Sequence, residues 1–288
     1  MTNKKTHMIV LLMLALLLVT GGLYTLHQQQ NAYPLPILMY HHFAETAELD
    51  TVVTADRFRE HMNALQKAGF TAVTLQQMVD YVDQGAALPE KPVLITFDDG
   101  YTSNLTIAAP ILEELGMCAT VFVIGINEGE EVYPHSGEPL YLPRFSYEEA
   151  APWVKKGVLD LQCHTFDMHQ LADYGFSGRD GMLPLSGESE AAYRQALAAD
   201  LNRFRQRRDE HISTPLIALA YPFGYYTNEA DRLTEEEGFS ITLTTDMGCA
   251  HLEAGDTDSL RLLPRINVPD HWSGIELVQR LAKASGLW

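Results

Sequence analysis

The apolar run Pro92-Val93-Leu94-Ile95-Thr96 passes straight into Phe97-Asp98-Asp99-Gly100-Tyr101, and no other stretch restricts the fold as severely. So short and apolar a run, closed by glycine, reads as a buried strand. Two adjacent carboxylates at its mouth are costly, because each resists ionising beside the other unless a cation or separate hydrogen bonds hold it. The fold must therefore bring a compensating charge to this strand end. A metal ion would serve if one Asp bound it while the other stayed free as a base, a division suited to hydrolysis by metal-activated water. Further ligands stand in Cys163-His164-Thr165-Phe166-Asp167-Met168-His169, two imidazoles after another short apolar strand. One Asp and two His leave positions open for water and substrate.

Around these motifs strands and helices alternate. Ile37–Tyr40, Phe70–Thr74, Val93–Phe97, Ala119–Ile124, Val158–Gln162, Leu216–Tyr221 and Ser240–Thr244 read as extended. Helical spacing joins Phe58, Met62 and Leu65, and helices are expected over Leu75–Gln84, Asn104–Leu115, Tyr147–Lys156, Glu188 to about Arg208, Asn228–Glu237 and Gly274–Ala284. Ser146 with Glu149 is a capping box. The alternation predicts an α/β fold with parallel strands, and at 288 residues a closed or distorted (β/α) barrel. Reactive groups of such a barrel gather at the C-terminal strand ends. Two long connections, Asn127 to Phe145 and Gln170 to Ser186, leave strands on that side and are expected to wall a substrate groove. His135, in the first, reads as an exposed loop histidine.

Three segments in order, Thr-Phe-Asp-Asp-Gly-Tyr (96–101), His-Thr-Phe-Asp-Met-His (164–169) and Ala220-Tyr221-Pro222-Phe223-Gly224, resemble the first three motifs of the polysaccharide deacetylases with the NodB homology domain, carbohydrate esterase family 4. The resemblance spans about Pro36 to Val268. It implies that Asp99, His164 and His169 bind one divalent metal, zinc foremost, with cobalt, nickel or iron as alternatives, and that Asp98 is the general base. It also implies that the Phe223 N–H stabilises the oxyanion, and Tyr101 and Tyr221 are expected to touch substrate. The chain departs from the usual pattern in three places. Four residues instead of three separate the histidines, and the late Leu-x-His motif that supplies the general acid is missing, as in the poly-N-acetylglucosamine deacetylase subgroup. There the acid sits at the start of the domain, which points here to His41 in Leu38-Met39-Tyr40-His41-His42, with His42 and His271 as rivals. Ala220 stands where an Arg usually clamps the base, and Arg265 is the expected substitute, because a guanidinium holds a carboxylate by two hydrogen bonds.

Lys4 and Lys5 precede the apolar segment Met8–Val19, and the chain stays uncharged to Leu26. Residues 1–27 are therefore expected to be a signal-anchor, or a signal peptide if cleaved, that exports the body and ties it to the outer face of a membrane. Residues 28–36 read as a short polar tether and 37–288 as the catalytic domain. Three cysteines, Cys118, Cys163 and Cys249, exclude a disulfide scaffold. Cys163 adjoins His164 and could be a fourth ligand, but neighbouring strand residues face opposite ways, so packing is the better reading. A formal net charge of −18 argues against a nucleic-acid or strongly anionic partner and for a neutral glycan.

The expected activity is metal-dependent removal of N-acetyl groups from an extracytoplasmic N-acetylglucosamine polysaccharide. O-acetyl esterase action on xylan, a glycan-binding pseudoenzyme and a small-molecule cyclic amidase are the competing readings.

Overall fold

A computed structural model of the chain describes residues 32–286 apart from 48 and 174. The N-terminal apolar segment and the Gln-rich start of the expected tether lie outside the described residues.

The central sheet runs β2 (Ile37–Tyr40), β12 (Leu263–Asn267), β10 (Ile241–Met247), β9 (Ala218–Ala220), β8 (Leu159–Cys163), β7 (Ala119–Val123), β6 (Pro92–Asp99) and β5 (Thr71–Ala72). Every pairing in it is parallel. β2 also pairs with β6, Tyr40 opposite Phe97, so the sheet closes into a barrel with β5 added at the foot of β6. Parallel neighbours need crossovers, and most of these are helical: α1 (Ala55–Lys67, after the paired short strands β3, His42–Ala44, and β4, Val52–Thr54), α2 (Leu75–Gln84), α3 (Ala109–Leu115, entered through a π-turn at Asn104–Ala108), α4 (Tyr147–Lys155), α5 (Glu190–Asp209) and α6 (Asn228–Glu236); β10 reaches β12 through β11 and a 3-10 turn (Thr257–Leu260), and α7 (Gly274–Ser285) follows β12. The Ser146–Glu149 capping box opens α4, and Thr74 with Gln77 and Ser273 with Glu276 repeat the device on α2 and α7.

Period-two alternation sorts the strand residues into two apolar clusters. Val93, Ile95 and Phe97 pack outward against Phe58, Met62 and Leu65 of α1. Leu94 faces inward among Ile37, Ala218, Ile241 and Leu263, where Leu75, Met78 and Val82 of α2 join it. Helix α2 thus closes the barrel at the end remote from Asp98, and the opposite end is left for chemistry.

Two expectations fail. Ala32–Leu35, placed in the polar tether, is strand β1, paired antiparallel with β11 (Ala250–Glu253); Leu35 is fully buried and Tyr33 donates its hydroxyl to the Pro89 carbonyl at 2.7 Å. Leu263–Asn267, not foreseen as a strand, is β12 and sits between β2 and β10.

Candidate metal centre

Strand β6 brings the carboxylate pair to the open end of the barrel. Leu94, Thr96 and Asp98 share its inner face, so Asp98 points into the barrel, whereas alternation alone would turn Asp99 toward the helices. It does not, because Asp99 has φ 73° and Gly100 φ 73°, a left-handed step that swings both carboxylates to one place. Thr165 (φ 66°) and Phe223 (φ 56°) are also left-handed, and both adjoin the same centre. Non-glycine residues at positive φ cost on the order of 1–3 kcal/mol and gather where surrounding structure enforces them.

Asp99 Oδ1 lies 3.3 Å from His169 Nε2 and 3.6 Å from His164 Nε2. The ligand atoms of these three residues are all within 4.8 Å of one another. His164 Nδ1 donates to the Ala220 carbonyl at 2.8 Å; a carbonyl only accepts, so the ring proton sits on Nδ1 and the Nε2 lone pair faces Asp99. Burial pushes His164 down to about 4, which keeps the imidazole neutral as a metal ligand must be. Burial works to raise the Asp99 pKa, yet the imidazoles of His169, His41 and His164 hold it well below the usual carboxylate range. Asp99 Oδ1 is buried with no hydrogen-bond partner. An orphaned carboxylate oxygen facing two imidazole nitrogens is the donor set of a zinc-type cation, and the residues present fit one.

Asp98 is held differently. Arg265, fully buried on β12, donates Nη1–H to Asp98 Oδ1 at 2.7 Å and Nη2–H to Oδ2 at 2.8 Å, while its Nε–H donates to the Thr244 carbonyl at 2.8 Å. Burial would raise the Asp98 pKa, but the Arg265 charge and its hydrogen bonds take it below its ordinary value. The carboxylate therefore stays ionised beside the metal site, His164 Nε2 being 4.0 Å from Oδ2.

His41 follows β2 at the same open end, close enough for its charge to act on both Asp98 and Asp99. Its Nδ1 is buried and unpartnered, while its carbonyl accepts from Asn104 Nδ2 at 2.8 Å. His42 is committed elsewhere: its Nδ1 lies 2.9 Å from Ser103 Oγ and its ring 5.1 Å from that of Tyr101. His271 is exposed and meets the edge of Trp272. Phe223 lays its ring 4.3 Å from that of His169. The hydrogen bonds closing its turn use the N–H groups of Gly224 and Tyr225 and not that of Phe223. Tyr101 sits under the Arg144 guanidinium, 3.6 Å from the ring centre, and burial followed by the Asp99 carboxylate raises its pKa.

Tyr221 is a correction. Expected to touch substrate, it is fully buried, donates its hydroxyl to Asp231 on α6 at 2.7 Å and stacks on Tyr226. Alternation is the cause, since Ala220 faces inward and Tyr221 outward to the helices. Cys163 likewise packs in the helix-facing cluster, outside the metal set.

Sequence reasoning missed Asp200. This buried α5 residue accepts the Phe166 N–H at 2.7 Å and the Asp167 N–H at 2.8 Å, pinning the loop between the two histidines. The loop also leans on Gly125, where a Cβ would lie 2.7 Å from the Phe166 ring. One signal was available: Asp200 falls in register with Tyr193, Leu197 and Phe204, an acidic residue on an otherwise apolar helix stripe.

Comparison with known proteins bears on family and fold. YxkH of Bacillus subtilis (strain 168), a polysaccharide deacetylase by name, is 31% identical over 240 residues, 83% of this chain and 73% of its own. The poly-beta-1,6-N-acetyl-D-glucosamine N-deacetylase of Staphylococcus aureus (strain MRSA252) is 24% identical over 218 residues, 76% of this chain and 68% of its own. The solved structure of IcaB from Ammonifex degensii superposes with a TM-score of 0.70 at 25% identity, covering 88% of this chain and 97% of that one. The profile of the polysaccharide deacetylases matches residues 85–242, a span that holds Asp98, Asp99, His164, His169 and Phe223, and to that family the chain belongs.

Proposed function

We propose that this polysaccharide deacetylase hydrolyses the N-acetyl groups of an N-acetylglucosamine polymer, of which poly-β-1,6-N-acetylglucosamine is the first candidate, using one divalent metal held by Asp99, His164 and His169. The observation that carries the reading is the buried, unpartnered Asp99 Oδ1 facing two imidazole nitrogens beside a carboxylate that Arg265 keeps ionised. Zinc suits the donor set best, and cobalt, nickel or iron are compatible. When bound, such an ion lowers the pKa of water and polarises a carbonyl.

The chain's own residues supply the rest. Asp98, its two oxygens fixed by Arg265, takes the proton of the attacking water. The Phe223 N–H, presented by its left-handed turn, donates to the oxygen that gains charge as the acetyl carbon becomes tetrahedral. His41 delivers a proton to the departing nitrogen, a step an amide needs far more than an ester does. Acetate and a free amine leave.

The N-terminal apolar segment behind Lys4 and Lys5 supports an extracytoplasmic, membrane-anchored enzyme. Among the described residues no helix is long and apolar enough to cross a membrane. The anchoring is tested by membrane fractionation of the full chain against one beginning at Ala32: both partitioning as soluble would remove the anchor from the proposal.

Acetate release should be assayed side by side on poly-β-1,6-N-acetylglucosamine, chitooligosaccharides, peptidoglycan and acetylxylan. Chelation should abolish the activity and added Zn²⁺ restore it. Undiminished turnover by protein that elemental analysis shows to be metal-free, or turnover of acetylxylan alone, would refute the reading.

A further inference from the structure

His41 delivers its proton from a position that the sheet does not hold. Strand β2 ends at Tyr40, opposite Phe97 on β6, and the next pairing, β3 with β4, starts at His42. His41 thus occupies the break between two strands, and its Nδ1 is buried with no hydrogen-bond partner among the described residues. The aim of the ring is therefore left to the peptide that carries it. That peptide is gripped from the helix that follows the aspartate turn. Asn104 Nδ2 donates to the His41 carbonyl at 2.8 Å, and Ser103 Oγ accepts the Phe43 N–H at 3.0 Å, while the His42 N–H goes to the Thr51 carbonyl at 3.2 Å. Tyr40 secures the other flank. His61 Nε2 donates to the Trp272 carbonyl at 2.7 Å, so its Nδ1 is free to accept the Tyr40 hydroxyl at 3.1 Å, and the end of β2 is tied to α1 and to the loop after β12.

Asn104 is fully buried and opens the π-turn Asn104–Ala108 that leads into α3. Its Oδ1 has no partner among the described residues, a cost that a residue placed there for packing would avoid, since leucine has a similar outline and no polar atom. Turns of the π type are rare and frequent at functional sites, and this one starts at the residue whose amide reaches His41. We propose that Asn104 is a positioning residue for proton delivery: its amide fixes the His41 peptide, and through it the imidazole, within hydrogen-bond reach of the departing nitrogen. Delivery requires about 2.6–3.2 Å between heavy atoms, and a misplacement of about 1 Å can cost on the order of 10²-fold. Asn104 lies five positions after Asp99, so one short segment carries the base, a metal ligand and the group that aims the acid.

The inference rests on His41 being the acid, and the experiment separates the two. Asn104→Ala removes the donor and leaves a space; Asn104→Leu removes the donor and fills it. On N-acetylglucosamine oligomers both should lower kcat by a factor on the order of 10 to 10² with KM unchanged. Both should keep wild-type metal content and wild-type hydrolysis of 4-nitrophenyl acetate, whose leaving group needs no proton. Because Asn104 acts through His41, His41→Ala combined with Asn104→Leu should be no slower on the amide than His41→Ala alone. Wild-type amide turnover by Asn104→Leu, which is what a packing role predicts, overturns the proposal. So does an equal loss on the ester, or a double variant in which the two losses multiply. If His41→Ala itself keeps its amide turnover, the assignment of the acid falls and the positioning role falls with it, whereas an impaired His41→Ala beside a fully active Asn104→Leu removes the positioning role alone.

Discussion

Arg265 and Asp98 stand 167 residues apart in the chain and meet inside the barrel through two hydrogen bonds of 2.7 and 2.8 Å. Neither charge has a substitute partner of that quality, so the pair should behave as a unit. Arg265→Ala leaves a buried carboxylate uncompensated and should destabilise the fold by about 3–5 kcal/mol, read from the denaturation midpoint. Arg265→Met combined with Asp98→Asn, which removes both charges, should recover most of that loss. Asp98→Asn alone should keep its metal while kcat falls by a factor on the order of 10² to 10⁴. Loss of the metal in that variant would mean the two aspartates have exchanged roles.

His41→Ala should retain metal and lose most amide turnover, whereas an activated ester, whose leaving group departs without a proton, should be largely spared. His42→Ala should be milder on both substrates, because the His42 ring is engaged with Ser103 and Tyr101. Wild-type amide hydrolysis by His41→Ala would remove His41 from the mechanism.

Asp200 should govern the metal loop and leave a pH signature. Asp200→Ala frees two buried N–H groups between the histidines and should weaken zinc binding about tenfold in a competition titration, the scale of losses seen when the outer support of a metal site is removed. Burial raises the Asp200 pKa to about 6 in the folded protein. That exceeds the unfolded value of about 3.9, so the folded state binds this proton more tightly and the Asp200 contribution to stability falls as pH rises from about 4 to 6, then levels off. The difference in melting temperature between wild type and Asp200→Asn should change across that window and be flat above it. A difference constant from pH 4 to 8 would show that Asp200 does not titrate there.

Much of the site was legible because it is local in sequence. Asp98 with Asp99, and His164 with His169, fall within single motifs, and the strand before the aspartates is a short, largely apolar run. Arg265 was reachable by asking what replaces a missing arginine, although its strand was not: Pro264 interrupts the run, and a charged residue at an inward position disguises it until Asp98 is seen opposite. β1 was hidden in the same way by Pro34 and Pro36, and its partner β11 lies more than two hundred residues further along. Tyr221 was misread although the alternation was there to use, with Ala218 and Ala220 inward and Leu219 and Tyr221 outward. The left-handed turns at Asp99, Thr165 and Phe223 leave no trace in composition, because tertiary packing imposes them against local preference.

The seating of β1 has a geometric consequence. Leu35 belongs to the cluster that α2 shares at the closed end of the barrel, and from there β2 climbs to His41 at the mouth. The described chain therefore begins on the side of the barrel away from the candidate metal centre, and the full height of the barrel separates Ala32 from Asp99.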